Sequence, residues 1–225
     1  MRRSLLFLSA VIVVSLCVLT PISQALATST YVYTIINDST TMPVDPLSAA
    51  EGDTAYFNSG HPAFGTENNT GFFWLYEDTT TGNISLEMIF DTPNSGSGGK
   101  FNTTISGMPP SGYVALSDDP GELTPTGGSW KWSTTGVDGG VIGGLGGTWE
   151  MTLTPTKSTG LTSWYFLSGD PTAPTKIPLT MSPGHTLTIT ASDPAPAANP
   201  EPASIALLSL GLVGFGLVRR SRRDP

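Results

Sequence analysis

The segment from Thr28 to Ala191 predicts an all-β protein, a single β-sandwich of jelly-roll or Ig-like type. Three observations predict it. Thr, Ser, Gly, Pro and Asn dominate while helix formers are scarce. Short runs alternate apolar and polar residues with the period of a half-buried strand. Turn-forming clusters separate those runs at sandwich-like intervals. Five tryptophans and the repeated alternation argue against a disordered Gly/Ser/Thr-rich chain. The absence of a fixed-period repeat argues against a β-helix.

The elements follow in order. Thr30 to Ile36 reads as a first strand, and residues 37–54, polar and Pro-containing, as a loop. Gly71 to Glu77 is an aromatic strand buried on both faces near Phe73 and Trp74. A turn at Thr79–Asn83 joins it to Ile84–Phe90, whose Ile84, Leu86, Met88 and Phe90 share one face; together they form a hairpin. Lys100–Ser106 and Gly112–Ser117 are the next strands, followed by the turn Asp118-Asp119-Pro120-Gly121. Ser129–Ser133 places Trp130 and Trp132 on one face; Thr148–Thr154 does the same with Trp149, Met151 and Leu153. Leu161–Ser168 and His185–Ala191 complete about nine strands. The Gly-rich run Gly139–Gly147 lacks the Lys-Ser/Thr of a phosphate loop and reads as a flexible connection or a tight backbone approach.

Composition bounds the chemistry. The single cysteine is Cys17, so no disulfide staples the domain. Between Thr28 and Asp193 four lysines face sixteen acidic residues, a net charge of −12. Such a surface does not hold nucleic acid or anionic lipid by charge. No G-x-S-x-G elbow and no H-E-x-x-H pair occurs, and His61 and His185 sit in unrelated contexts. Glu77, Glu87 and Glu150 are the strand carboxylates to consider for glycoside hydrolysis, but alternation puts each opposite the apolar face, the ordinary solvent position. The expectation is a protein that is not an enzyme. Asp118, Asp119 and Glu122 in one turn, with Asp138 as a further oxygen donor, make calcium the expectation for a metal site, because turns supply hard oxygen ligands. Turn formation by Asp beside Pro and Gly explains the same residues without an ion. Trp130, Trp132 and Trp149 are either core or a stacking platform for sugar, and core packing is the commoner use.

Both ends carry trafficking devices. Arg2 and Arg3 precede an apolar run from Leu5 to Leu19, then Pro21 and the small pair Ala25 and Ala27. This predicts a signal peptide over residues 1–27, cleaved by signal peptidase after export. After the strands, residues 192–199 form a Pro/Ala linker. There follow Pro200-Glu201-Pro202, an apolar segment over 203–218, and Arg219, Arg220, Arg222 and Arg223. Sixteen helical residues reach about 24 Å, short of a hydrocarbon core of about 30 Å, and the arginines extend that reach by snorkelling. The Arg cluster stops transfer and stays cytoplasmic. Arginine is confined to these end segments.

The tail over about residues 199–223, with its motif, apolar helix and basic end in that order, resembles the PEP-CTERM sorting signal. The resemblance implies recognition by an exosortase, a membrane-embedded transpeptidase, with processing near Pro200-Glu201-Pro202. The two prolines hold that segment extended, as a protease needs. The resemblance also implies export, transient anchoring in the inner membrane and release to the cell envelope or extracellular matrix. For the domain between the ends, the leading expectation is a structural or adhesive surface protein. A carbohydrate-binding module that holds extracellular polysaccharide, with or without calcium, is the alternative. An ice-binding protein using Thr186, Thr188 and Thr190 is a weaker one, since no Thr-x-Thr array spans several strands of the sequence.

Overall fold

The computed structural model describes residues 31–50, 65–91 and 97–195, and these are all-β. The expected signal peptide, the second half of the linker, and the whole sorting signal from Pro200 to Arg223 lie outside the described residues, as does His61. Among the described residues no helix is long and apolar enough to cross a membrane.

The chain runs through β1 (Val32–Asn37), β2 (Thr40–Val44), β3 (Leu47–Ala49), β4 (Thr70–Asp78), β5 (Asn83–Phe90), β6 (Gly99–Ser106) and β7 (Tyr113–Ser117). It continues through β8 (Leu123–Thr124), β9 (Gly127–Trp132), β10 (Asp138–Gly143), β11 (Trp149–Thr159), β12 (Ser163–Ser168), β13 (Thr175–Pro178) and β14 (Leu187–Ser192). Two seven-stranded sheets pack face to face. The first has the order β2-β1-β14-β11-β6-β9-β8; the second has β13-β12-β4-β5-β10-β7, with β3 also paired to β4. All pairs are antiparallel except β12 and β3, which lie parallel to β4 at successive positions along it.

The expected hairpin is present, from Gly71 opposite Phe90 to Asp78 opposite Asn83. Its turn is held by Asp78, whose carboxylate accepts Thr80 N at 2.8 Å and Thr81 Oγ at 2.6 Å, and Gly82 supplies the positive φ. Alternation places Ile84, Leu86, Met88 and Phe90 inward, against Trp130, Trp132, Trp149, Met151 and Leu153 of the first sheet. At the centre, the Phe90 ring lies 5.0 Å from Trp130, 5.1 Å from Phe101, 5.8 Å from Trp164 and 5.9 Å from Trp132. Each such ring pair adds roughly 0.5–1.5 kcal/mol beyond burial. Gly71 makes this packing possible, because a Cβ there would lie 2.3 Å from the Trp164 ring.

Two loop expectations are corrected. Residues 37–54 contain β2 and β3, which were hidden by their polar, Pro-bearing composition. The Gly run is not a flexible connection at its start: β10 is a buried strand between β5 and β7. Pairing on both sides overrides glycine's weak strand preference. Gly140 is required by close approach, since a Cβ would sit 2.8 Å from Leu123 Cδ2 and 3.0 Å from Leu116 O. The run becomes a loop only after Gly143, with positive φ at Gly144 and Gly147.

Candidate functional site

The chain passes from the first sheet to the second between β9 and β10, and the turn between β7 and β8 packs against that corner. Asp119-Pro120-Gly121-Glu122 is a tight turn with Glu122 N donating to Asp119 O at 3.3 Å and Gly121 at φ 87°. Pro and Gly occupy the positions that a type II turn favours. The turn is clipped in place by Asp118 N to Gly139 O (3.4 Å), Ser129 N to Glu122 O (2.8 Å) and Leu123 N to Ser117 Oγ (3.2 Å). Trp130 Nε1 donates to Gly139 O at 3.0 Å from the core side.

Asp138 opens β10 and is buried. Its Oδ1 accepts Gly139 N at 2.8 Å and its Oδ2 accepts Lys131 N at 3.0 Å. Burial, then the Glu122 charge, push the Asp138 carboxyl up to about 7. Burial also raises Glu122, with Asp119 and Asp118 adding to it and the neighbouring Asp138 carboxyl and the Lys131 amide opposing it. Asp118 is raised by partial burial and by Asp119. The fold therefore does bring Asp118, Asp119, Glu122 and Asp138 to one corner. Among the described residues, however, no group of three or more His, Cys, Asp or Glu side chains is placed to hold a metal ion. The chemistry of the corner is that of crowded carboxyls, one of which keeps its proton toward neutral pH.

The other candidates separate. Trp130, Trp132 and Trp149 are 0%, 6% and 7% exposed, so they are core and no sugar platform. Their indole N–H groups bond inward, to Gly139 O, to Asp91 Oδ2 and to Leu145 O. Glu150 is exposed as expected, and Glu77 is half-buried with Ser48 Oγ donating to it at 2.8 Å. Glu87 departs from expectation: it is fully buried opposite Trp74, because the second face of its sheet is itself covered. His185 Nδ1 lies 2.7 Å from Asp38 Oδ2, tying the start of β14 to the β1–β2 turn. That contact, then the Thr186 amide, lower the Asp38 carboxyl below its ordinary value. Thr188 and Thr190 point outward on the first sheet, and Thr186 lies before the strand. The threonine array is wider than the sequence suggests: Thr190 meets Thr34 across β1, and Thr188 meets Thr152 across β11 at 2.8 Å between hydroxyls. Lateral register, which a linear sequence does not display, creates those neighbours.

One buried acid was not anticipated. Asp91, fully buried just after β5, accepts Asn69 N at 2.8 Å and Trp132 Nε1 at 3.0 Å, so one carboxylate ties the second sheet to the first. Its signal in the sequence is slight, an Asp directly after an apolar strand.

Residues 200–223 match the PEP-CTERM protein-sorting motif. No curated protein and no solved structure matches the chain.

Proposed function

We propose that this chain is a structural or adhesive protein of the cell surface or extracellular matrix, delivered there as an exosortase substrate. The observation that carries delivery is the sorting motif at residues 200–223, which marks an exported protein processed by a membrane enzyme. In this reading Pro200, Glu201 and Pro202 are substrate for another enzyme, and Arg219, Arg220, Arg222 and Arg223 hold the precursor until it is processed. Signal peptidase acts first, at Ala25 and Ala27. The structural role draws support from how the domain uses its residues. Its tryptophans are packed between the sheets, and its outward threonine hydroxyls bond one another across strands. Both features support a structural role for the domain.

Mass spectrometry of the protein recovered from its producing cells tests delivery. The expected mature form begins after Ala27 and lacks Arg219–Arg223, and it is found outside the inner membrane. Replacing Pro200, Glu201 and Pro202 by Ala is expected to leave the arginines attached and the protein in the inner membrane. A wild-type mature form that retains the arginines overturns the reading.

A further inference from the structure

We propose that the outward face of the first sheet, at the end away from the chain's entry and exit, docks an acidic polysaccharide on Lys100, Lys131 and Lys157. The proposal rests on the reading of the chain as an exported surface or matrix protein, and it names the class of partner. The domain holds four lysines, and strand register gathers three of them. Lys100 of β6 lies directly opposite Lys131 of β9 and, on its other side, opposite Thr159 of β11. One row along, Asn102 lies between Ser129 and Lys157. Phe101 and Trp130 between these positions point into the core, so Lys100, Asn102, Ser129 and Lys131 point outward. A bulge between Pro155 and Lys157 resets the alternation of β11 and brings Lys157 and Thr159 to the same face. Lys131, Lys157, Ser129 and Thr159 are exposed; Lys100 and Asn102 are half-buried.

Like charges directly opposite on one face of a sheet repel and destabilise it. Lys100 and Lys131 are such a pair, in a domain whose net charge of −12 offers many acids as neighbours. The fourth lysine, Lys176, is paired with Glu67. Among the described residues the other three form no ion pair. Asp138 accepts the Lys131 main-chain amide, not its ammonium. The outward acid on the strands of this sheet is Glu150, which precedes Lys157 along β11 by about 20 Å. Positive charge is therefore concentrated here without internal compensation, and a chain with repeated anionic groups offsets it. Asn102, Ser129 and Thr159 add hydrogen-bonding groups for sugar hydroxyls, and Ser129 Oγ already donates to Asn102 Oδ1 at 3.1 Å. No aromatic ring shares these two rows, so the bases of a single-stranded nucleic acid find no stacking platform. The location also fits a tethered protein. Entry and exit pair at Val32 and Ser192, and β11 begins beside them, at Trp149 opposite Ala191. Its 11 residues carry the chain about 30 Å to Thr159, so the lysines stand at the far end from the sorting tail.

Binding of the full chain, in nonionic detergent with EDTA at neutral pH, to immobilised polygalacturonate and to neutral dextran tests this. The wild type is expected to be retained on polygalacturonate in about 20 mM sodium chloride and released by about 500 mM, where screening shrinks to a few ångströms. Retention on dextran is expected to be at least about tenfold weaker. Lys100→Gln, Lys131→Gln and Lys157→Gln are each expected to weaken binding to polygalacturonate about threefold, and about thirtyfold when combined. Lys176→Gln is the control for net charge and is expected to leave binding unchanged. The urea midpoint of the triple variant is expected to hold or rise, because the Lys100–Lys131 repulsion is gone; if it falls, the single variants decide. No salt-sensitive retention of the wild type overturns the proposal, as does equal retention on dextran. So do unaltered binding in the lysine variants and an equal loss in Lys176→Gln. Tighter binding of the same lysines to single-stranded poly(dT) overturns it too, in favour of a nucleic acid. Failure of binding by a protein that is correctly trimmed at both ends leaves delivery standing, whereas binding by a mature form that keeps Arg219–Arg223 overturns delivery alone.

Discussion

Strands β14 and β5 each run between two antiparallel partners, yet they meet opposite surroundings. In β14, Leu187, Ile189 and Ala191 are buried while Thr188, Thr190 and Ser192 are not. In β5 every residue after Asn83 is buried, including Ser85, Glu87 and Ile89 on the face turned from the central core. The same holds for their sheets. The first covers the core with one face and shows hydroxyls on the other. The second has a further apolar cluster on its outer side, made of Leu47, Phe72, Trp74, Tyr76, Ile89, Val141 and Leu167. A sheet wetted on one side reads as strict alternation, and a sheet covered on both sides reads as a continuous apolar run. Phe72 to Tyr76 is such a run, and all five of its residues are buried.

The sharpest way to break this comparison is to truncate one aromatic on each face of the second sheet. Phe90→Ala empties the centre of the ring cluster and is expected to cost about 3–5 kcal/mol. Trp74→Ala is expected to cost a similar amount, because its outward-facing indole is as fully buried as Phe90. Urea melts decide it; a Trp74→Ala loss below about 1 kcal/mol would make the outer cluster mere surface. Next in size is Gly71→Ala, where the new methyl meets the Trp164 ring at 2.3 Å. Overpacking of this kind costs about 1–3 kcal/mol and is read in the same melts. Trp132→Phe keeps most of the packing but leaves Asp91 Oδ2 without its indole donor, for about 1–3 kcal/mol. Pairing it with Asp91→Asn in a double-mutant cycle isolates the sheet-to-sheet bond. The smallest effect belongs to the first sheet's outer face: Thr34→Val and Thr190→Val each lose one hydroxyl partner at a half-buried position and are expected to shift stability by about 0.5 kcal/mol. A shift of 2 kcal/mol there would mean that this face, too, is core.

The legibility of the chain follows the same division. The alternation of His185–Ala191 and Thr148–Thr154 places Ile189, Trp149, Met151 and Leu153 inward, where they are. Ile84, Leu86, Met88 and Phe90 are equally legible. Glu87 is not, because a polar residue at an alternate position looks like a solvent position unless the cover on that face is known. Strand β10 is illegible for a related reason: Asp-Gly-Gly-Val-Ile-Gly carries turn chemistry, and only its pairing to both β5 and β7 makes it a strand. At the candidate site, Asp118, Asp119 and Glu122 are visible as a turn cluster, and Asp138 as a separate acid sixteen residues beyond Glu122. Their encounter depends on the β7–β8 turn folding back on the β9–β10 corner.

The sequence by itself determined the all-β class, the main hairpin, the inward faces and the trafficking motif at its tail. Each of these rests on short-range pattern: a period of two, a turn cluster, a motif of consecutive residues. Only the tertiary structure decided that one sheet is buried twice, that Glu87 and Asp91 lie inside, and that two acids share a corner. Burial of a second face and the approach of two carboxyls are contacts between segments far apart in the chain, and no local period encodes them.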